Sequence, residues 1–292
     1  MGIKRIPFKV LHVNMSRPLV RQPRQIIRYR LLLITTLIPG SLISQQASPN
    51  HRWIVEQFFF ANAWPAKAEY YAGEMTTHYA TAKTMGEAGA PVRRGSMRLV
   101  QASESQAVYT VQVGRGERIE DWYAYVTRGP GGWRLTAVRT LALPPLFFMA
   151  MDSLSGAQSL PDSLAEFLAN MRLTASSDSA LREFFRGHRT ELQRIAEGFS
   201  RETARSIAAA PAGLQAPTAS LQELARQLAL LHLGGAWRDP ELTGCTFVEI
   251  GGMIDNEVGF MRCTGVGPPP ITPERFILIE PLADGWYLYK TT

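Results

Sequence analysis

The feature that most constrains the fold is a run of four predicted strands within residues 91–143. The strands cover residues 91–101, 106–114, 118–128 and 132–143. In the second strand Ala107, Tyr109, Val111 and Val113 share one face, and the polar residues Thr110 and Gln112 lie on the other, which is the period of a half-buried strand. The connections are short and contain Ser, Gly and Pro, as loops between neighbouring antiparallel strands do. The segment therefore predicts an antiparallel meander.

The third predicted strand carries large apolar side chains on both faces. Trp122 and Ala124 point one way, and Tyr123 and Tyr125 point the other. Apolar surface on both sides of a strand is stable only when both sides are removed from water. We therefore expect this strand to be central and covered on both faces.

Helical patterns precede and follow the meander. Residues 51–64 and 66–83 have apolar side chains at helical spacing and predict two helices that cover the sheet. After the meander, Ser163 and Ser220 begin capping-box sequences, and Asp178 is placed to cap a third helix. Alternating segments then predict two hairpins, in residues 245–263 and 275–289.

The predicted fold class is α+β. Residues 45–143 are expected to form N-terminal helices packed on a curved four-stranded antiparallel sheet. Residues 144–161, which are rich in Pro, Ser and Gly, are predicted to be a linker with an apolar beginning that docks on one domain. Residues 162–292 are predicted to be a second α+β domain, with helices first and two hairpins after them.

The first 44 residues have the features of a secretory signal. Basic residues lead directly into the apolar stretch 31–38, and Pro39 and Gly40 then break any helix. The stretch is shorter than the roughly 20 apolar residues that span a bilayer. We expect cleavage near residue 44 and export to the periplasm or the extracellular space; an uncleaved anchor in the inner membrane is the alternative. Met1 and Met15 are both open as the start of translation.

The formal charge of +6 belongs to this leader. Residues 1–44 hold eight basic and no acidic residues, which leaves 23 basic and 25 acidic residues, a net charge of −2, in the rest of the chain. A nucleic-acid-binding domain needs an excess of Lys and Arg on one surface. We therefore expect no nucleic-acid partner, and contact with a membrane only through an uncleaved leader.

Cys245 and Cys263 are the two cysteines of the chain. They flank a predicted hairpin that is symmetric about Ile254, so they should face each other across its strands. In an oxidising compartment this pair predicts a cross-strand disulfide, and two buried thiols are the alternative. The spacing matches neither a CxxC redox motif nor a zinc site. No metal ion and no cofactor are expected.

The order of elements in residues 51–143 resembles a known fold. Helices precede a strand Trp-Tyr-Ala-Tyr-Val at 122–126, which is followed by Gly-Trp-Arg-Leu-Thr-Ala-Val at 132–138. This order resembles the nuclear-transport-factor-2-like fold, although a cystatin-like arrangement uses similar pieces. The resemblance implies helices packed into the concave face of a bent sheet, around a conical pocket.

That superfamily does not define an activity. It includes small isomerases and dehydratases, and also non-catalytic scaffolds such as the periplasmic core subunit of type IV secretion systems, so the fold alone implies no chemistry. Residues 162–292 are similar to small exported bacterial proteins of unknown function, which adds no chemistry either.

The best catalytic candidates lie on the second predicted helix and on the sheet. Glu74 and His78 are four residues apart on one helix face, and Asp121 lies in the third strand. A pocket histidine beside a carboxylate could shuttle a proton, which is what the resemblance implies for the isomerases. The alternative is an exposed helical histidine with solvated carboxylates. The constellation is completed by Glu120, Tyr109 and Tyr123.

Aromatic side chains are candidates for lining a small-molecule pocket. The candidates are Tyr70, Tyr71, Tyr109, Trp122 and Tyr123. Aromatic residues bury large areas and dominate hydrophobic cores, so packing in the core is the alternative.

Three functions follow from these features. The first is an exported envelope protein that acts as a non-catalytic binding or scaffolding module. The second is a small-molecule binder, or an isomerase-type or dehydratase-type enzyme that uses the conical pocket. The third is a membrane-anchored subunit of a secretion apparatus. The expected partner is an envelope protein or a small apolar ligand, with a homodimer through the sheet as a further option. A pocket containing His78 and Asp121 would favour the second function, and a filled interior the first.

Overall fold

Two antiparallel sheets and six α-helices make up the part of the chain that the structure describes, so the α+β class is confirmed. The structure, a computed structural model, describes residues 50–116, 118–202, 206–208, 218–253 and 255–292. The predicted leader, residues 1–44, lies outside these ranges, and so does Ile254 at the centre of the cysteine-flanked segment.

The predicted meander forms the first sheet, in the order β1-β2-β3-β4. Its strands β1 to β4 are Arg98–Ala102, Gln106–Arg115, Arg118–Gly129 and Gly132–Thr140. β2 pairs antiparallel with β3 over the whole length of β2, from Gln106 opposite Thr127 to Arg115 opposite Arg118. β1 begins later than predicted; before it, Val92 makes an isolated bridge to Val113.

Helix α1, His51–Phe60, covers one face of this sheet. Asn50 caps it, because its side-chain oxygen accepts a hydrogen bond of 2.9 Å from the backbone N–H of Trp53. The helix ends four residues before the predicted end at residue 64. Its buried residues are Ile54, Val55, Phe58 and Phe59.

The second predicted helix, residues 66–83, is wrong. The chain there forms a 3₁₀ turn, Lys67–Tyr70, and one short helix, α2, Glu74–His78. Between them Gly73 has a φ of 55°, a left-handed conformation that interrupts a helix and that glycine adopts at little steric cost. Tyr71 makes a parallel bridge to Leu135 of β4. The apolar spacing therefore reflects packing against β4 and not one continuous helix.

The segment 144–161, predicted as a linker, contains helix α3, Pro145–Ser155. Pro145 is the first helical residue, where the missing N–H has no intrahelical partner to lose. Phe147 is buried, whereas Leu146 and Met149 are 69% and 66% exposed. The apolar beginning of the segment is therefore helical. One side of helix α3 packs against the protein, and the other side of the helix faces solvent.

Three more helices follow: α4, Asp162–Thr174, α5, Asp178–Ser200, and α6, Ala219–Leu230. Ser177, and not Asp178, caps α5; Thr218, and not Ser220, caps α6. Ser163 lies inside the first turn of α4. In each helix the N-cap residue therefore lies one or two positions before the predicted cap. Among the described residues, none of the helices has both the length and the apolar character that crossing a membrane requires.

The second sheet has six antiparallel strands in the order β5-β6-β7-β8-β10-β9. The strands β5 to β10 are Ser206–Ala208, Gly235–Trp237, Cys245–Met253, Asn256–Cys263, Phe276–Ala283 and Trp286–Thr291. The two predicted hairpins, β7–β8 and β9–β10, are confirmed. β10 pairs with β8, so the second hairpin joins the first through its last strand.

Cys245 and Cys263 form a disulfide with an S–S distance of 2.06 Å. The two residues are directly opposite in the β7–β8 register, with their Cα atoms 4.1 Å apart. The cross-strand pairing is therefore as predicted. Disulfides persist in oxidising compartments, so the bond is compatible with an exported location.

β3 is buried on both faces, as predicted. Ala124 and Val126 pack into the hydrophobic cluster beneath α1. Tyr123 and Tyr125 pack into the cluster that contains the residues of the second sheet and of α5. The Tyr125 hydroxyl donates a hydrogen bond of 2.6 Å to the backbone oxygen of Ile277 in β9. The tyrosine face of β3 is therefore where the two sheets meet.

Candidate functional site

The predicted catalytic residues are distributed over separate environments. His78, at the end of α2, is exposed. Glu74 forms a bidentate ion pair with Arg139 of β4, in which one oxygen lies 2.6 Å from Nη2. Glu120 lies 3.1 Å from an Arg115 nitrogen. Each glutamate thus forms an ion pair with an arginine. Neither glutamate lies in the buried environment of Asp121 that is described below, and His78 does not lie there either.

The aromatic candidates lie on opposite faces of the first sheet. Four of them belong to, or pack against, the cluster beneath α1: Tyr70, Tyr71, Tyr109 and Trp122. Tyr123 is on the other face, towards the second sheet. Trp64 fills the space beside the first pair, with its ring centroid 5.6 Å from that of Tyr70 and 5.7 Å from that of Tyr71. These side chains pack on one another as a core does.

Asp121 and Tyr123 do come together, in a buried polar cluster between the two sheets. The cluster adds Asp178, the first residue of α5, and Lys290 of β10. One Asp178 oxygen accepts hydrogen bonds from the Tyr123 hydroxyl and the Lys290 ammonium, each at 2.8 Å. Asp121 accepts a bond of 2.7 Å from the backbone N–H of Asp178. All four side chains are buried.

The charges of this cluster do not cancel if every group is ionised. Two carboxylates and one ammonium leave one buried negative charge, which is costly in a low-dielectric interior. Burial and the charge of Asp178 raise the pKa of Asp121, against the opposing effect of Lys290. Burial acts to lower the pKa of Lys290, but the two aspartates outweigh it and raise that pKa overall. The Asp121 carboxyl group therefore binds a proton more readily than an ordinary aspartate does.

A small cavity adjoins Asp121 and Lys290. Its volume is about 40 Å³, and Thr140, Ser176 and Phe148 also line it. Sites for organic ligands occupy about 300–1,000 Å³, whereas one water needs only about 10–15 Å³ on a comparable measure. The cavity suits a few waters beside the charged groups. The cluster can therefore share a proton and hold the start of α5 against β3, but its cavity has no room for a substrate.

Sequence reasoning identified Asp121 and Tyr123 and missed the function of their partners. Asp178 was interpreted as a helix cap, and Lys290 was not singled out. A carboxylate near a helix N-terminus is favourable through the helix dipole whether or not it is buried, so the local sequence does not separate the two roles. In the described part of the chain, no group of three or more His, Cys, Asp or Glu side chains is placed to hold a metal ion.

A second feature is the apolar outer surface of α3 and α4. The exposed large side chains are Leu146, Met149, Leu164 and Phe167, at 69%, 66%, 41% and 52% exposure. α3 is fixed to the first sheet by Arg118, which binds both oxygens of Asp152 at 2.7 Å and lies 4.3 Å from the ring centroid of Phe148. Exposed apolar side chains gathered on neighbouring elements are typical of interaction sites.

Comparisons of the chain with protein-family models, with curated proteins and with solved structures gave no match.

Proposed function

We propose that the chain is an exported, non-catalytic binding or scaffolding module, and that it binds a partner protein through α3 and α4. The observation that carries the proposal is the exposure of Leu146, Met149 and Phe167 on these two helices. Complete burial of such a side chain stabilises by about 1.5–3 kcal/mol, so a partner that covers the exposed half to two-thirds would recover about 1–2 kcal/mol from each. The disulfide and the predicted leader support export.

The interior of the first sheet supports this function over the enzyme alternative. A small-molecule enzyme of the predicted kind needs an open pocket with His78 and Asp121 inside it. His78 is exposed, Asp121 lies on the side of β3 away from α1, and the side beneath α1 is packed with the chain's own aromatic residues. The nuclear-transport-factor-2-like resemblance stays a proposal. A packed interior is what we expect of the non-catalytic scaffolds of that superfamily, and not of its isomerases.

Charge favours a basic protein partner over a lipid surface or a second copy. α3 and α4 contain three acidic residues, Asp152, Asp162 and Glu166, and one basic residue, Arg172. Arg118 already balances the charge of Asp152, so the two helices keep a net charge of −1 from Asp162, Glu166 and Arg172. Anionic lipid head groups attract basic segments and not acidic ones. Two identical acidic surfaces also repel each other. The partner expected from these charges presents an apolar face flanked by Lys or Arg.

The experiment is site-specific photo-crosslinking in the host envelope, followed by reconstitution. A photoreactive residue at Met149 should give one defined protein adduct, and the same residue at Val266, which is 51% exposed in the loop after β8, should not. The purified adduct partner should then bind the wild-type protein, and the double variant Leu146→Ser/Phe167→Ser should bind it about tenfold more weakly or worse.

Two results would contradict the proposal. One is equal affinity of the double variant and the wild type for the reconstituted partner. The other is a mature protein that stays in the cytoplasm, as determined by fractionation and by the intact mass, which should begin near Gln45.

A further inference from the structure

Two carboxylates, Glu249 and Glu257, lie on one face of the second sheet around Gly259. Glu249 of β7 is directly opposite Gly259 of β8, and Glu257 is two residues before Gly259 on the same strand. Side chains two residues apart on a strand share a face, and diagonal cross-strand neighbours are about 7–8 Å apart or less. Burial, and then the charge of Glu249, raise the pKa of Glu257 to about 7. The two carboxyl groups therefore sense each other.

Neither carboxylate has a cationic partner in the described structure. Both glutamates are only partly exposed. Other shielded carboxylates of this protein are paired: Glu280 with Arg98 and Arg182, Glu87 with Lys67, and Asp178 with Lys290. Glu249 and Glu257 depart from this pattern, since no hydrogen bond or ion pair of either side chain to a described residue is present.

A third polar group, the hydroxyl of Tyr289, belongs to the same place. Tyr289 of β10 flanks Gly259 on the side opposite Glu249. A Cβ atom on Gly259 would lie 2.9 Å from Cε1 of Tyr289, so the tyrosine ring lies over the glycine. Tyr289 is fully buried, and its hydroxyl has no hydrogen-bond partner of good geometry among the described residues.

The charges of both acids act on that hydroxyl. Burial raises the pKa of Tyr289 well above its ordinary value, and the charges of Glu257 and Glu249 add to the effect, while the N–H of Trp237 opposes it. The hydroxyl therefore stays protonated and offers its oxygen lone pairs. Several hydrogen-bond acceptors therefore lie around Gly259. None of the cationic side chains in the described part of the chain binds them.

We infer that Glu249, Glu257 and Tyr289 form a binding site for one organic cation, the guanidinium or ammonium group of a ligand or of a partner's basic side chain. Such a group supplies several N–H donors together with the positive charge, and it can bridge two carboxylates. Among the described residues, no third Asp, Glu, His or Cys side chain joins the two glutamates in a group that could hold a metal ion. The ligand count therefore favours an organic cation over a metal ion.

This site lies on β7, β8 and β10, whereas the proposed partner surface is formed by α3 and α4. The inference does not depend on the proposed function, and either can fail alone. A partner with basic residues could, however, bind both the α3–α4 surface and the carboxylates of this site.

The test uses N-acetyl-L-arginine methylamide as the probe and its uncharged analogue N-acetyl-L-citrulline methylamide as the matched control. Isothermal titration of the full mature protein should show saturable binding of the arginine probe, at least about tenfold tighter than that of the citrulline probe. In ¹H–¹⁵N spectra the arginine probe should shift the amide signals of Glu249, Glu257 and Tyr289. The double variant Glu249→Gln/Glu257→Gln keeps the shapes of both side chains but removes their charges, and it should lose this binding.

The control variant is Glu104→Gln, which removes an exposed acid in the β1–β2 loop and should bind like the wild type. Equal binding of the two probes would overturn the inference, as would unchanged arginine binding in the double glutamine variant. Binding of calcium chloride at the same amide signals, without binding of the arginine probe, would also overturn it in favour of a metal site. The spectra of the wild type report on the site even if the double variant does not fold.

Discussion

The Lys290 ammonium lies 2.8 Å from the carboxylate of Asp178, and both side chains are buried. Lys290 is in the last strand of the second sheet, and Asp178 begins α5. Tyr123 of the first sheet donates to the same carboxylate oxygen. One buried ion pair thus joins both sheets and a helix. Its loss should therefore lower the free energy of unfolding of the whole described fold.

Replacing Lys290 by Met should destabilise the protein by about 3 kcal/mol or more. Removing one partner of a buried pair leaves the other charge without compensation, and this is the costly way to break such a pair. The free energy of unfolding from urea titration at pH 7 measures the loss. Adding Asp178→Asn removes the stranded charge and should recover part of it.

The matched control is Arg226→Met, in the exposed pair Arg226–Glu223 on α6, which should leave the free energy of unfolding unchanged within error. Simple addition of the losses from Lys290→Met and Asp178→Asn would show that the two residues act independently, contrary to the geometry.

Asp121 should make the protein less stable as the pH rises. Its pKa is raised in the folded state, so between the unfolded value of about 3.9 and the raised value the folded protein holds a proton that the unfolded chain has released. The free energy of unfolding therefore falls across this window and is level above it. In the variant Asp121→Asn, this decrease in the free energy of unfolding should disappear. A series of urea titrations between pH 4 and 8 would measure the difference. An unchanged slope in the variant would assign the effect to other groups.

Glu257→Gln should stabilise the protein in neutral and alkaline solution. The folded pKa of Glu257 is about 7, so ionising this residue costs the folded state stability as the pH rises from about 4 to 7. The glutamine variant avoids the cost and should be more stable by about 1–2 kcal/mol at pH 8, a figure reduced for partial solvent screening. At pH 4 the variant and the wild type should unfold alike. A variant that is less stable at both pH values would show that Glu257 is already paired.

Removing the disulfide should lower the free energy of unfolding by about 3 kcal/mol. Cys245 and Cys263 are 18 residues apart, and cross-linking a loop of that size restricts the unfolded chain by about this amount. The double variant Cys245→Ala/Cys263→Ala should show the loss in a urea titration. Dithiothreitol should destabilise the wild type and have no effect on the double variant. If the wild type is unchanged in dithiothreitol although its intact mass shows that both thiols are free, the bond does not contribute to stability.

The sheets could be predicted because their signals are local. Alternation along β2 and the apolar character of both faces of β3 are visible in a few consecutive residues, and the loops between them carry turn residues. The symmetry of the segment between Cys245 and Cys263 likewise indicated that the two cysteines face each other across one hairpin.

The helices and the polar cluster were harder because their signals are ambiguous or distant. The spacing of Tyr70, Tyr71 and Met75 fits a helix, yet Gly73 interrupts it. Pro145 looks like a linker residue and is equally suited to the first position of a helix. The position of Asp178 fits a helix cap, and nothing near it in the sequence indicates that its partner is Lys290, more than a hundred residues away.

The hydrogen bond from Tyr125 to Ile277 has a consequence for the order in which the protein is made. Translation proceeds from the N-terminus, so all of β3 emerges from the ribosome long before β9 and β10 exist. Until they appear, the tyrosine face of the first sheet has no cover and is a surface on which nascent chains can aggregate. A chaperone that holds the chain until β10 is complete should therefore raise the yield of soluble protein, whereas a fragment ending at residue 143 should accumulate in inclusion bodies.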